Sequence, residues 1–135
     1  MLLIEHYVAP SPIHGLGAFS AEFFPDGQKV WQFHNAVNAI VPASELMGLP
    51  IHVMNLFKAR TEYIEDIDSF LTSLDGDQFV NHSDDPNTVK LGSEWFASRD
   101  IHPGDEITCD YRQTFVLSFD PKTRLPHPHS RVHAG

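Results

Sequence analysis

Turn-forming segments recur along the whole chain and limit how long any regular element can be. The sequence has 135 residues, among them 10 prolines and 8 glycines. Proline fixes φ, whereas Gly, Asp and Asn favour turn conformations, so these residues interrupt strands and helices. The segments between them therefore read as short strands, which predicts a mainly β fold with little helix. The clearest turns are Pro10-Ser11-Pro12, Pro25-Asp26-Gly27, Asp75-Gly76-Asp77, Asp85-Pro86-Asn87 and Pro103-Gly104.

Apolar and β-branched residues between these turns mark the expected strands. The turn at Pro25-Asp26-Gly27 predicts a hairpin that leads into a strand near residues 30–33. The other expected strands are residues 2–9, 63–67, 70–71, 89–91 and 94–98.

Two segments favour helix, and both follow a proline. They are residues 42–48, with Ser44 as a cap, and residues 50–60, with Pro50 at the first turn. In the second, Ile51, Met54 and Phe57 recur at a spacing of three and are expected to pack into the core.

Size and composition predict one intracellular domain. A chain of 135 residues with 41% hydrophobic residues can bury a core without staples, and it contains no apolar run of the roughly 18 residues that a membrane span needs. The N-terminal segment lacks a basic flank and reads as a strand rather than a signal peptide. The single cysteine, Cys109, excludes an intramolecular disulfide and a multi-cysteine zinc site, which favours a reducing intracellular location: the cytoplasm or, in a eukaryotic host, the nucleus.

The negative charge is concentrated in one part of the chain. The net charge is −9, and from Glu62 to Asp85 acidic residues recur without any Lys or Arg. Such a stretch either attracts a basic partner or forms a solvated face, and composition leaves both readings open. Direct binding to nucleic acid is disfavoured because no basic patch is present to neutralise phosphates.

Three polar or glycine-containing segments are candidate sites. The glycine pair Gly15 and Gly17 allows a close backbone approach, although the third glycine of a dinucleotide fingerprint is missing. The second segment, residues 79–87, places Asn81 beside His82 before a turn, and such a pair by itself is more often a capping or packing pair than a ligand site. The third is residues 103–111.

Taken together, these segments resemble the SET-domain protein lysine methyltransferases. The resemblance is carried by Gly15-Leu16-Gly17-Ala18-Phe19, by Phe79-Val80-Asn81-His82-Ser83 with Pro86-Asn87, and by Pro103-Gly104 through Asp110-Tyr111. It implies a SET-domain, β-clip-like fold of several short-stranded sheets, with a C-terminal pseudoknot that brings residues 79–87 against 105–111. On this basis residues 1–120 form the SET domain, with a helical insert at 42–60, and residues 121–135 form a flexible Pro- and His-rich tail.

The resemblance also implies an activity and a set of site residues. S-adenosylmethionine would donate a methyl group to a lysine of a basic protein, with donor and acceptor entering from opposite faces. Tyr111 matches the catalytic tyrosine of the family, which orients the amine. The donor would be held by the backbone of His14, Gly15, Leu16 and Gly17 and by Asn81 and His82.

Carboxylates of the third segment are not expected to act as general bases. Glu106 is expected to bond backbone donors or a neighbouring side chain, and Asp110 is likewise not assigned as a base. In similar enzymes the proton is thought to leave through water, and His82 is expected to act structurally and through its backbone.

Several positions depart from the family pattern. Gln78 stands where many relatives have Arg. Phe33 stands where many have a tyrosine that helps to hold the lysine amine, and Cys109 stands where Phe or Tyr is usual, so these two residues are assigned to the substrate channel. The cysteine-rich zinc segment of many SET domains is absent, and Phe115 or Phe119 is a candidate to cover the adenine or complete the lysine channel.

Two other functions are weighed against methyl transfer. One is a non-catalytic SET-like module that binds S-adenosylmethionine or a basic peptide. The other is metal binding by His127, His129 and His133, which is disfavoured because the Pro-rich tail offers no thiolate partner, so no metal site is predicted. Homodimerisation to complete a substrate groove is left open.

Overall fold

The computed structural model describes residues 1–114, 116, 119–120 and 125–126. The single α-helix of this part is α1 (Ile51–Arg60), and short 3₁₀ helices cover Ala43–Leu46, Glu65–Ile67 and Gly76–Phe79. The strands are β1 (His6–Pro10), β2 (Leu16–Ser20), β3 (Asn38–Pro42), β4 (Glu62–Ile64), β5 (Ser69–Ser73), β6 (Asn81–His82), β7 (Thr88–Leu91), β8 (Glu94–Ala97), β9 (Thr108–Cys109), β10 (Phe119–Asp120) and β11 (Leu125–Pro126).

The strands form small, separate sheets. β1–β2, β7–β8 and β10–β11 are antiparallel pairs, and β3, β5 and β4 form an antiparallel sheet in that order. β6 and β9 pair in parallel, although they are distant in sequence. The prediction of a mainly β fold with several short-stranded sheets and little helix is confirmed.

One core cluster contains residues from all three motif segments. Its centre is formed by Ile4, Ile101 and Ile107, which are almost completely buried. Trp31 and Trp95 pack against the cluster, whose buried members are Leu2, Ile4, Ala18, Phe24, Val30, Val80, Ala97, Ile101, Ile107, Cys109, Tyr111 and Val116.

The helical insert has a small core of its own. α1 begins directly after Pro50, whose fixed φ suits the start of a helix. Met54 and Phe57 pack towards a cluster built on Leu46 and Phe70, as the spacing predicts. Ile51 does not, since it is 69% exposed. That prediction was wrong because Ile51 occupies the first turn of α1, outside this small cluster.

Three local predictions are also corrected. The hairpin at Pro25-Asp26-Gly27 does not form, because Phe24 and Lys29 pair with Ile101 and Phe96 rather than with each other. The first strand begins at His6, since Leu2 pairs with Trp31 rather than with β2. Residues 65–67 leave the strand and form a 3₁₀ turn.

The helix ends agree only in part with the sequence reading. Ser44 lies within the 3₁₀ helix, whose N-cap is Pro42 and carries no side-chain cap hydrogen bond. In the part of the chain that the structure describes, no helix is both long and apolar enough to cross a membrane.

Candidate active site

The parallel pair β6–β9 brings the second and third motif segments together. Asn81 pairs with Thr108, and His82 pairs with Cys109. The Asn87 side chain locks this pairing, because its Nδ2 donates to the Glu106 carbonyl at 2.8 Å and its Oδ1 accepts from the Thr108 N–H at 2.9 Å. The expected contact between residues 79–87 and 105–111 is therefore confirmed.

The Asn81 side chain joins the first motif to the other two. Its Nδ2 donates to the carbonyls of His14 and Leu16, at 3.0 and 3.1 Å, and to Glu106 Oε2 at 2.8 Å. These three acceptors fix the orientation of the amide. Its Oδ1, on a residue only 5% exposed, accepts no hydrogen bond from the described residues. A buried amide oxygen without a donor is costly, so this atom is suited to a ligand donor.

Gly17 is required by the close approach of Glu106. A Cβ at this position would lie 2.5 Å from Glu106 Oε2 and 3.1 Å from the Ser11 Cβ. Ser11 Oγ in turn donates to the same carboxylate at 2.8 Å. Glu106 thus bonds neighbouring side chains, as expected. Gly15 has φ +49°, in the left-handed region, and lies on an exposed loop.

His82 holds the backbone of the catalytic candidate. Its Nδ1 accepts from the Tyr111 N–H at 3.1 Å, and its Nε2 lies 3.0 Å from Asp84 Oδ1. The neutral ring that accepts at Nδ1 and donates from Nε2 satisfies both contacts. Asp110 bonds the Arg112 side chain at 2.8 Å. The geometry supports a structural role for His82 and gives Asp110 an ion-pair partner.

Tyr111 is buried and donates its hydroxyl to the Val80 carbonyl at 2.6 Å. Burial, reinforced by the neighbouring Cys109, raises the pKa of Tyr111 far above its ordinary value. Burial likewise raises the pKa of the Cys109 thiol well above its usual range. Both side chains are therefore neutral at physiological pH, and Tyr111 can act as a hydrogen-bond donor but not as a base.

A cavity of about 250 Å³ opens on the other side of β6 from Asn81. Val80 lines it and Asn81 does not, while Ile107, Cys109 and Tyr111 line it at alternate positions. This pattern follows from the alternation of side chains along an extended segment. The strand pair thus separates the polar surroundings of Asn81 from a cavity that contains Tyr111 and Cys109.

Two carboxylates line this cavity, and sequence reasoning did not place them there. Glu62 Oε1 accepts from Thr114 Oγ1 at 2.9 Å and lies 3.8 Å from Lys90 Nζ. Asp77 Oδ2 accepts from the Trp31 indole. Burial raises the pKa of both carboxyl groups. Their signal in the sequence was lost within the acidic stretch, where every member reads as surface.

The other positions singled out from the sequence differ in where they lie. Phe33 is 40% exposed and is not among the described residues that line the cavity. Gln78 does line it. Phe115 lies outside the described residues, and Phe119 is described only in its backbone. The assignment of Phe33 to the substrate channel stays a prediction, as do those of Phe115 and Phe119.

Potential metal ligands do not cluster in the described part of the chain. Within residues 1–114 and the few described beyond them, no group of three or more His, Cys, Asp or Glu side chains could hold a metal ion. The tail histidines His127, His129 and His133 lie outside the described residues.

A comparison with protein families supports the grouping of the three motif segments into one site. The family model described as SET domain matches residues 15–112, which contain all three motif segments. The chain belongs to the SET-domain family. In this SET domain the family match ends one residue beyond Tyr111 and includes the helical insert.

A curated relative and two solved structures are similar to this SET domain. The relative is a histone-lysine N-methyltransferase, H3 lysine-4 specific, from Cryptococcus neoformans, 28% identical over 87% of the chain. The chain spans only 8% of the length of that protein.

The structures share the fold at low identity. One is a Plasmodium falciparum protein described as a candidate histone methyltransferase, with a TM-score of 0.54 and 21% identity, covering 82% of this chain and 95% of that one. The other is the Neurospora SET-domain protein DIM-5, a histone lysine methyltransferase, with a TM-score of 0.56 and 17% identity, covering 82% and 53%.

Proposed function

We propose that this SET domain transfers a methyl group from S-adenosylmethionine to a lysine side chain of a basic protein. The observation that carries the proposal is the two-sided arrangement about β6. The neighbouring residues Val80 and Asn81 face opposite sides, one towards the Tyr111 hydroxyl and the cavity, the other towards the first motif. Donor and acceptor can therefore approach one point from two directions.

The residues around Asn81 fit the donor. Its buried Oδ1, which accepts no hydrogen bond from the described part of the chain, offers an acceptor for the ammonium group of the methionine part. The exposed loop at His14 and Gly15 leaves backbone accessible beside it. Leu16, Gly17 and the backbone of His82 are assigned to the same side by the resemblance. S-adenosylmethionine supplies a methyl group that is already activated on a positively charged sulfur. The protein must then bind, orient and exclude water.

The cavity residues fit an acceptor amine. A lysine amine has a pKa near 10.4 and attacks only when neutral, so its surroundings must favour loss of the proton. Val80, Ile107 and Trp31 supply apolar lining that disfavours the charged form. The neutral Tyr111 hydroxyl and the Val80 carbonyl, 2.6 Å apart, form a polar point at which the amine can be oriented.

We propose the N-terminal tail of histone H3 as the first substrate to test. Support comes from the Cryptococcus relative, whose name specifies H3 lysine 4, and from the net charge of −9, which favours a basic partner.

The test is transfer of a labelled methyl group to an H3 tail peptide and to a panel of other basic proteins. Tyr111→Phe removes only the hydroxyl and should lower kcat by at least about a hundredfold, the penalty for a misplaced reacting group. Tyr7→Phe is the matched control, because Tyr7 is exposed and lies away from the cavity. Donor binding without transfer to any substrate would instead support the non-catalytic module.

A further inference from the structure

Asp77 belongs to the acidic stretch between Glu62 and Asp85, but its side chain lines the cavity. It lies in the 3₁₀ helix Gly76–Phe79, immediately before the strand that carries the motif. Its carbonyl accepts from the Val80 N–H at 3.1 Å, so it is fixed to the residue whose own carbonyl receives the Tyr111 hydroxyl. Its side chain lines the same cavity as Tyr111.

The Asp77 carboxylate is held at one oxygen only. Oδ2 accepts from Trp31 Nε1 at 3.1 Å and from Ser73 Oγ at 3.0 Å. These two donors fix the orientation of the group. Oδ1 accepts no hydrogen bond from the described residues. One oxygen is thus left for a donor that enters the cavity.

The cationic side chains that line the cavity are engaged elsewhere. Lys90 pairs with Glu62, and the Arg60 guanidinium lies over the Phe79 ring, 4.6 Å from its centroid. No Lys, Arg or His side chain of the described residues lies within 4 Å of the Asp77 carboxylate. Glu62 therefore has a counter-ion within 4 Å, whereas Asp77 has none within that distance among the described residues.

Two more charges act on Asp77 from nearby. The Met1 ammonium attracts it, but that ammonium donates its hydrogen bond to Asn38 Oδ1 at 2.8 Å. Asp75 repels it. A buried carboxylate with incomplete compensation is stabilised by any cation that can reach it.

We propose that Asp77 is the specificity-determining residue of the acceptor cavity, where its free oxygen receives the ammonium group of the incoming side chain. The inference rests on the proposed function for the identity of that side chain. Asp77 binds the protonated amine on entry; the amine then gives its proton to a water molecule, which carries it out through the opening of the cavity, and the neutral amine moves on to Tyr111. The cavity accordingly selects a primary ammonium on an aliphatic stem over a neutral group of the same shape.

The Trp31 indole provides a direct readout, because its N–H donates to Asp77. The chain has 2 tryptophans, so an amide spectrum shows two indole signals, and Trp95→Phe assigns them. Titration with n-butylammonium chloride should shift the Trp31 signal saturably, while n-butanol at equal concentrations should not. In Asp77→Asn the saturable shift should disappear.

Three variants sharpen the result. Asp66→Asn removes an equal charge from an exposed position and should keep the shift. Glu62→Gln should keep most of it, since Lys90 already neutralises that carboxylate; loss of the shift here and not in Asp77→Asn would overturn the proposal. If Asp77→Asn fails to fold, Asp77→Ser takes its place. Equal shifts in parent and Asp77 variants, or no saturable shift in the parent, would also refute it.

Kinetics separate this inference from the proposed function. If the parent transfers methyl groups, Asp77→Asn should raise KM for the lysine peptide by about tenfold and change kcat little. The tenfold change corresponds to the free energy that a hydrogen bond to a charged group contributes. Peptide binding should lose its preference for lysine over norleucine. If no transfer is found but the Asp77-dependent ammonium shift persists, the proposed function fails and the cation site stands. If the parent transfers methyl groups but KM for the lysine peptide is unchanged in Asp77→Asn, the proposed function stands and the role of Asp77 is refuted.

Discussion

Gly17→Ala tests whether the close approach of Glu106 to the first motif organises the donor side. The new Cβ would lie 2.5 Å from Glu106 Oε2, well inside van der Waals contact, so the carboxylate must move by about 1 Å. It cannot move freely, because Ser11 and Asn81 both donate to it at 2.8 Å. The backbone of Glu106 is also paired with Phe19. The substitution should therefore break hydrogen bonds rather than merely displace a surface side chain.

The expected loss of stability is about 2 kcal/mol. A hydrogen bond to a charged group contributes about 1.5–3 kcal/mol, and the required shift removes at least the one from Asn81. Replacing glycine by alanine returns about 0.4–1 kcal/mol through the entropy of the unfolded chain. For a domain of this size, the net loss should lower Tm by about 8 °C.

Urea denaturation of a double-mutant cycle with Glu106→Ala measures this coupling. In the Glu106→Ala background the contact with Oε2 no longer exists, so Gly17→Ala should no longer destabilise the fold, and the unfolded-chain effect alone would stabilise it by about 0.4–1 kcal/mol. The single variant Gly17→Ala should also bind S-adenosylmethionine more weakly, since displacement of Glu106 releases the Asn81 amide that holds the loop at His14 and Leu16. If Gly17→Ala costs the same with and without the Glu106 carboxylate, the argument from close approach is wrong.

Three further predictions concern stability. Tyr111→Phe leaves the buried Val80 carbonyl without its donor and should cost about 1–2 kcal/mol in urea denaturation; an unchanged midpoint would mean that another donor replaces it. Gly76→Ala places a Cβ 2.5 Å from the His6 ring and should lower Tm by several degrees, less so in a His6→Ala background. Burial raises the pKa of Asp77, so its protonated form stabilises the fold fully below the unfolded-state pKa, and this stabilisation is lost as pH rises through the folded-state pKa. Asp77→Asn should therefore melt above the parent at pH 7, and the difference should close towards pH 4; a variant that melts lower at pH 7 contradicts this.

The parts of the site that the sequence predicted lie in compact motifs with a characteristic order of residue types. Asn81, His82 and Tyr111 could be located for that reason, although their hydrogen bonds join segments that are distant in sequence: Asn81 bonds His14, and Tyr111 bonds His82 and Val80. The helix after Pro50 was predictable for a different reason, because it starts from a local signal.

The failures share a different cause. The turn at Pro25-Asp26-Gly27 was predicted to form a hairpin, but Phe24 and Lys29 pair with segments some seventy residues away. A turn signal identifies the bend and not the partner that competes for the flanking backbone. Ile51 was predicted to be buried but is exposed. Helical spacing identifies the apolar face of a helix, but it does not show how much of that face the rest of the protein covers.

The acidic stretch shows most clearly what composition cannot resolve. One part of it, with Glu65 and Asp66, is exposed and contributes to the field that a basic substrate meets at a distance. Asp85 forms an ion pair with Arg99. Asp77 and Glu62 turn into the cavity.

These groups must respond differently to salt. At physiological ionic strength the Debye length is about 8 Å, so salt weakens the attraction exerted by the exposed carboxylates. The partly enclosed Asp77 is screened much less. If the two proposals hold, long-range attraction of a basic protein and short-range selection of its ammonium group arise from different members of one sequence segment, and salt should affect mainly the first.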